Sequence, residues 1–249
     1  MTTLDLFSEK SDLYAQARPQ YPQALFDFLS SCVAHHNSVW DCATGNGQAA
    51  VGLAKIFSHV QATDMSEQQI AHALAADNIT YSVQSAEHTN FADQQFDLIT
   101  VAQALHWFNF EKFWPEVLRV LKPGAVFSAW AYDWFTISPA VDDVIDKNIM
   151  QIIRPYWATQ NQLVWNGYAD IEFPFEKIET PKIEMNQYWN LSQLLTYMHT
   201  WSATRQCMQK QGAQFFEDAA EKIEIVWGDP DMVKEIKMNF HFYAGRKST

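Results

Sequence analysis

The sequence predicts an α/β fold, a mostly parallel sheet with helices on both faces, and three observations carry that prediction. From residue 20 onward, short apolar runs alternate with amphipathic stretches of helical period. The runs are apolar at nearly every position, which is the pattern of strands buried on both faces and not of half-exposed antiparallel strands. The first run ends in a glycine-bearing turn, Asp41-Cys42-Ala43-Thr44-Gly45-Asn46-Gly47, that leads directly into a helix.

Taken in order, the periodicity predicts a helix over Pro22–His35, a strand over Ser38–Cys42, a helix over Gln48–Phe57 and a strand over Val60–Thr63. A helix from Ser66 to Ala75 follows, with Ser66 and Gln69 spaced as a capping box. Strands are predicted at Ile79–Gln84 and Phe96–Val101, then a helix at Phe110–Leu121. The Lys122-Pro123-Gly124 turn introduces a fifth strand, Ala125–Ala131. Two further strands, Lys222–Trp227 and Met238–Ala244, are expected to complete a seven-stranded sheet. Between strands five and six lies a long insertion rich in aromatics, Trp157, Trp165, Tyr168, Phe173, Phe175, Tyr188, Trp189 and Trp201 among them. Insertions on the loop-bearing edge of a parallel sheet cover the ligand crevice, so a largely helical substrate cap is expected. The organisation read from this is a core with an N-terminal lid segment at 1–133, a cap at 134–220 and the last two strands at 221–249.

Composition restricts the function. The 249 residues are 48% hydrophobic and 18% charged, enough for a full core, and the 17 basic and 29 acidic residues give a net charge of −12. Such a surface disfavours nucleic acid or an anionic membrane as the main partner, because both are bound through basic residues. Cys32, Cys42 and Cys207 suit neither a disulfide framework nor a zinc site, and no metal is expected. With no apolar run approaching the roughly 18 residues of a membrane span, a cytoplasmic protein acting on a small molecule is the expectation. Oligomeric state is open between monomer and dimer.

The turn after strand one carries the chemistry. Its glycines let the backbone approach a ligand at the N-terminus of a helix. Read as Gly45-x-Gly47-x-x-Ala50, it also fits a relaxed dinucleotide fingerprint, so an NAD(P)-binding oxidoreductase is an alternative at this point. Asp41 favours a cationic ligand, because a carboxylate at the strand tip repels a pyrophosphate and attracts an ammonium or sulfonium. Asp64, at the end of strand two, can accept hydrogen bonds from ribose hydroxyls under either reading. Ser85-Ala86-Glu87 stands where an adenine would lie.

These segments, together with Tyr14, Arg18-Pro19-x-Tyr21-Pro22, Ala62-Thr63-Asp64-Met65-Ser66, Phe96-Asp97-Leu98-Ile99, Ala102-Gln103-Ala104-Leu105-His106-Trp107-Phe108 and Leu118-Arg119-Val120-Leu121-Lys122-Pro123-Gly124, carry a resemblance. The chain resembles class I S-adenosylmethionine (AdoMet)-dependent methyltransferases of the type 11 group, and within it the yeast-type trans-aconitate methyltransferase branch. The similarity covers residues 7–131 well and the cap sparsely, with Thr200-Trp201-Ser202-Ala203 its main segment there. The resemblance implies a Rossmann-like fold and AdoMet as cofactor. It implies that Gly45 and Gly47 line the methionine part, with Asp41 and Ala43 in the same turn. Asp64 and the adjacent Met65 fall at the ribose, Ala86 and Glu87 at the adenine, Gln103 beside the sulfonium, and Tyr14 and Arg18 near the cofactor's carboxylate. Relatives carry glycine where Ala43 stands.

An activated sulfonium methyl needs an aligned acceptor and exclusion of water more than it needs a strong base. A carboxylate acceptor needs no base, whereas a hydroxyl or amine wants one, and His106 is the nearest candidate, a packed structural histidine being the alternative. Trp107 and the cap residues Arg154, Trp201 and Arg205 are the expected substrate contacts, the arginines as clamps for a carboxylate or else as surface ion-pair partners. The end of strand four lacks the Asn/Asp-Pro-Pro-aromatic signature of nucleic-acid amino methyltransferases, and no Pro-Cys pair exists for cytosine C5 chemistry. A non-catalytic AdoMet-binding protein is the other reading left open.

Overall fold

A computed structural model describes residues 18–249. Tyr14 and the expected lid segment lie outside the described residues. The described residues divide into two compact units, one of 18–20, Trp134–Asn161 and Met185–Asn239, the other of Tyr21–Asp133, Gln162–Glu184 and Phe240–Thr249.

The second of these, the sheet unit, begins with α1 (Gln23–Cys32), β1 (Ser38–Cys42), α2 (Gln48–Ala54), β2 (His59–Asp64), α3 (Glu67–Ala71) and β3 (Ile79–Val83). It continues through β4 (Phe96–Ala102), α4 (Phe110–Val120) and β5 (Leu121–Thr136), whose last three residues pass into the other unit. Further along come the short β6 (Glu176–Lys177) and, at the end of the chain, β8 (Lys234–Arg246). The strands are ordered β3-β2-β1-β4-β5-β8-β6. The pairs β3/β2, β2/β1, β1/β4 and β4/β5 are parallel, and β6 runs antiparallel to β8.

Two cores follow from the strand alternation. Val39, Leu98, Val126 and Trp130 point to one side and pack on Leu25, Phe26 and Leu29 of α1 and on Ala49, Ala50 and Leu53 of α2. Their neighbours Trp40, Ile99, Phe127 and Ala129 point to the other side, onto Phe113, Val117 and Val120 of α4. Each of these large buried side chains contributes about 1.5–3 kcal/mol. The doubly buried strands thereby hold their carboxyl ends, and the turns that leave them, in fixed positions.

The helical unit contains α5 (Pro139–Ile145), continued through a π-helical turn (Asp146–Met150), the single turn α6 (Gln151–Ile153) and a 3₁₀ turn (Arg154–Tyr156). The unit also holds β7 (Met185–Trp189), α8 (Leu191–His199), α9 (Ser202–Gln211) and α10 (Gln214–Trp227), with α7 (Asn161–Trp165) leaving it for the sheet unit. β7 pairs antiparallel with the first half of β8, Met185 opposite Met238.

The strand expected over Lys222–Trp227 is instead the last two turns of α10. Ile223, Ile225 and Trp227 alternate like a strand, but Phe216, Ala219, Ala220, Ile223 and Trp227 form a buried stripe at helical spacing. Ile225 is 80% exposed, which a core strand would not allow. The described sheet therefore has eight strands, because β6 and β7 join it where one strand was expected. The stretch Gln162–Glu184, expected within the cap, belongs to the sheet unit, where Val164, Tyr168 and Ile171 join the core on the α4 side.

Candidate functional site

β1 ends at a turn that the chain can make only with unusual backbone angles. Ala43, Gly45 and Gly47 all have left-handed φ, 54°, 58° and 84°. Thr44 N donates to Thr63 O of β2 at 2.8 Å and Gly47 N to Thr44 O at 3.0 Å, so the turn is tied both to itself and to the neighbouring strand. A Cβ on Gly47 would lie 2.0 Å from the Tyr81 hydroxyl, whereas one on Gly45 would meet nothing nearer than 4.0 Å. Gly45 thus presents open backbone that a ligand can approach. Ala43 carries a side chain where the φ favours glycine, at a cost of about 1 kcal/mol. Ala43→Gly is accordingly expected to be stabilising by a few tenths to about 1 kcal/mol, part of the relief being lost to unfolded-chain entropy. Urea unfolding checks this, and a lower midpoint for the variant would refute it.

Asp41 is fully buried. Its carboxylate accepts from the hydroxyls of Thr44 (2.5 Å) and Thr100 (2.9 Å). It lies buried beneath the turn and braces it through these two hydroxyls. Thr100 reaches it because β1 and β4 pair with Asp41 opposite Thr100. Burial raises the Asp41 carboxyl to about 6, against the two hydroxyls that lower it. Because the native state then binds more protons than the unfolded one between about pH 4 and 6, this group removes stability as pH rises through that window. The full effect is on the order of 3 kcal/mol. Asp41→Asn is expected to flatten that decline, and unfolding free energies of parent and variant across the window, if they run parallel, would reject the account.

Asp64, the last residue of β2, accepts from Gly45 N at 2.9 Å and from Ser66 N at 2.8 Å. The first bond fixes the turn against β2. A carboxylate has about four lone-pair positions, so Asp64 retains capacity for a ligand's hydroxyls. Met65 beside it is 73% exposed. Ser66 caps α3 by accepting from Gln69 N.

After β3, Ala86 is buried and Glu87 is held by Ser85 Oγ at 2.6 Å and by Asn109 N at 3.2 Å. Burial raises the Glu87 carboxyl, but these hydrogen bonds outweigh it and the net shift is downward. At the end of β4, Gln103 has φ 58°, and its Nε2 donates to Tyr132 O of β5 at 2.8 Å. The following 3₁₀ turn, Leu105–Trp107, buries His106 and leaves Trp107 54% exposed. Burial lowers the His106 imidazole to about 4, so it is neutral near pH 7, and its Nδ1 has no partner among the described residues.

Arg18 and the cap candidates lie in the helical unit. Arg154, in the 3₁₀ turn, and Arg205, on α9, are both exposed. Trp201 belongs to an aromatic cluster in which its ring lies 6.0 Å from Phe135, 5.5 Å from Tyr197 and 6.1 Å from Trp157. The sheet unit thus gathers Asp41, Ala43, Gly45, Gly47 and Asp64 around one turn, with Ala86, Glu87 and Gln103 on the loops after β3 and β4. Sequence reasoning missed Thr100, legible as the one hydroxyl in the apolar run Phe96–Ala102, and Tyr81, for which no local signal exists.

A parallel sheet in this order, with a left-handed glycine turn after its first strand and an acidic residue ending its second, defines a Rossmann-like class of α/β protein, in which ligands are bound outside the carboxyl ends of the strands. Comparison with known proteins says which. A family model described as a methyltransferase domain matches residues 40–129. A Dictyostelium discoideum protein named as a methyltransferase is 32% identical over 202 residues, which is 80% of this chain and 77% of the relative. A Mycobacterium tuberculosis protein, also named as a methyltransferase, is 32% identical over 119 residues, spanning 47% of this chain and 48% of its own length. Among solved structures, one from Anaeromyxobacter dehalogenans named as a type II methyltransferase matches with a TM-score of 0.86 and 35% identity, over 93% of this chain and 99% of that one. The chain belongs to the class I AdoMet-dependent methyltransferases. That membership displaces the dinucleotide reading of the glycine turn. No helix among the described residues is long and apolar enough to cross a membrane.

Proposed function

We propose that this chain binds AdoMet at the Asp41–Gly47 turn and transfers its methyl group to a small-molecule acceptor. The observation that carries the reading is the Asp64 carboxylate held 2.9 Å from Gly45 N, beside the open backbone of Gly45. That arrangement suits a ribose diol next to a methionine moiety. Asp64 and Met65 would hold the ribose, Gly45 and Gly47 the methionine part, Ala86 and Glu87 the adenine, and Gln103 the region of the sulfonium. Tyr14 and Arg18 are proposed near the cofactor's carboxylate on the resemblance alone. When bound, AdoMet supplies a methyl already activated for transfer.

The protein's share is then to hold the acceptor in line and exclude water. A neutral His106 beside Trp107 suits hydrogen bonding to an acceptor better than proton abstraction, since a base titrating near 4 is weak at neutral pH. Trp107, Arg154, Trp201 and Arg205 are proposed as acceptor-selecting residues. The net charge of −12 supports a small acceptor over a nucleic acid. Resemblance to the trans-aconitate branch supports including carboxylic acids among the candidates. Methyl-labelled AdoMet incubated with a panel of carboxylic acids, alcohols, phenols and amines tests the reading. Transfer to any member supports it, whereas bound AdoMet with no transfer to any member would favour a non-catalytic binding protein.

A further inference from the structure

We propose that Gln103 selects and orients a primary or secondary amine as the methyl acceptor, its side-chain oxygen accepting a hydrogen bond from the amine N–H, an inference that rests on the methyltransferase reading above. Gln103 has a φ of 58° although it carries a side chain. Glycine would relieve that strain, so the position has a use for the side chain itself. Two bonds to β5 hold the strained residue. Gln103 N donates to Trp130 O at 2.9 Å, and Gln103 Nε2 donates to Tyr132 O at 2.8 Å. A backbone carbonyl only accepts, so the amide has one orientation: Nε2 meets Tyr132, and Oε1 is turned away from it. Gln103 is half-buried, and Oε1 has no protein partner among the described residues. A hydrogen-bond acceptor is thereby held in place with its lone pairs unused.

The location fits a role in transfer. β1 and β4 run side by side as far as Cys42 opposite Val101, so the Ala43–Gly47 turn and Gln103 leave the same sheet edge from adjacent strands. β5 lies on the side of β4 away from that turn, and the carboxamide is tied to β5. With the ribose proposed at the end of β2 and the methionine part at the turn after β1, an acceptor in line with the methyl belongs one strand further on, about 5 Å away over β4 and β5. Gln103 Oε1 is presented there. Every group named here belongs to the sheet unit.

The class of acceptor follows from the chemistry of that oxygen. An amide oxygen accepts a hydrogen bond but is far too weak a base to take the proton. A carboxylate has no hydrogen to offer it, and the two sets of lone pairs repel. A hydroxyl can donate, but it must lose its proton as the new bond forms, and His106 in the next turn, held near 4 by burial, is a weak base at neutral pH. A neutral amine meets every condition. Its nitrogen lone pair forms the bond to the methyl carbon as the carbon–sulfur bond breaks, the electron pair of that bond remaining on sulfur. The nitrogen becomes an ammonium that keeps its hydrogen, so the N–H bond to Oε1 strengthens as charge develops. Water takes the proton of an amine that arrives as ammonium before transfer, and that of the methylated ammonium after release. The net charge of −12 attracts such cations and repels carboxylates. The competing account is a clamp that only ties β4 to β5, which would affect all acceptors alike.

The test compares parent, Gln103→Met and Gln103→Gly with methyl-labelled AdoMet and a panel of primary, secondary and tertiary amines, alcohols, phenols and carboxylic acids. Gln103→Met keeps the length of the side chain without its polar ends, and Gln103→Gly removes the side chain while relaxing the backbone, which guards against loss of folding. The parent is expected to prefer primary and secondary amines. Both variants should lower kcat for these by about 10- to 100-fold, the effect of one hydrogen bond to a group that gains charge. Any transfer to tertiary amines, which have no N–H to donate, or to carboxylic acids should change by under about threefold, and calorimetric AdoMet affinity by under about twofold. A parent that binds AdoMet but methylates no primary or secondary amine, equal losses across all acceptors, unchanged amine turnover in either variant, or a loss of AdoMet affinity of about tenfold in both would overturn the proposal while leaving AdoMet binding by the parent intact. Failure of the parent to bind AdoMet would instead sink the reading beneath it, and the amine assignment with it.

Discussion

Gly47→Ala is expected to abolish measurable AdoMet binding and to destabilise the sheet unit by about 2–3 kcal/mol. Two independent costs add. Gly47 has a φ of 84°, where a Cβ costs about 1–2 kcal/mol. The new methyl would also lie 2.0 Å from the Tyr81 hydroxyl and 2.9 Å from its ring carbon, well inside contact distance. Tyr81 cannot yield freely, because its hydroxyl donates to Leu74 O at 2.7 Å, and Leu74 N in turn donates to Asn46 O at 2.9 Å. Moving the ring breaks one hydrogen bond, at a cost of about 1 kcal/mol, and loosens the loop that completes the turn. Tyr81→Ala combined with Gly47→Ala should recover the steric part and not the backbone part, so the two changes should couple in a double-mutant cycle. Urea unfolding and calorimetry with AdoMet read both terms. If Gly47→Ala unfolds at the parent's midpoint and binds AdoMet equally well, the tight fit of Tyr81 over the turn plays no part in the site.

How far the sequence foretells this architecture depends on the range of the interaction involved. β1, β4 and β5 are legible because most of their residues on both faces are buried, and runs as largely apolar as Phe96–Ala102 have few other uses. The turn around Gly45 and Gly47 is legible for a related reason: only special residues tolerate its backbone angles. Asp64 is legible from its position at a strand end. The errors arise where a local pattern fits two periods, as in Ile223, Ile225 and Trp227 of α10, or where an element is too short to have one, as in the two residues of β6. The return of Gln162–Glu184 to the sheet unit is set by distant packing of Val164, Tyr168 and Ile171, which nothing local announces.

The same division runs through the site. Thr100 meets Asp41 by strand register, and Tyr81 covers Gly47 from β3. Neither Thr100 nor Tyr81 belongs to a motif. Conversely, Asp41 is legible as a residue of the turn but its burial is not, because a carboxylate at a strand tip can point outward or be buried. Here the hydroxyls of Thr44 and Thr100 decide for burial.

Asp64→Ala is expected to weaken AdoMet binding by about 1.5–3 kcal/mol, or roughly 10- to 150-fold, the worth of two charge-assisted hydrogen bonds to the ribose. The variant also strands the Gly45 and Ser66 backbone N–H groups that the carboxylate now satisfies. Some loss of stability should therefore accompany the loss of affinity, and the two must be separated. Asp64→Asn does this, because its amide oxygen can still accept from Gly45 N while one charged acceptor position is replaced by a donor. If the carboxylate binds the ribose, Asp64→Asn should keep most of the parent's stability and still lose most of the affinity. If it serves the turn alone, affinity should track stability across Asp64, Asn and Ala. Calorimetry at a temperature where all three proteins are folded makes the comparison, with NAD as a control ligand. Unchanged AdoMet affinity in both variants, or tighter binding of NAD than of AdoMet by the parent, would remove Asp64 from the cofactor site and with it the observation on which the proposed function chiefly rests.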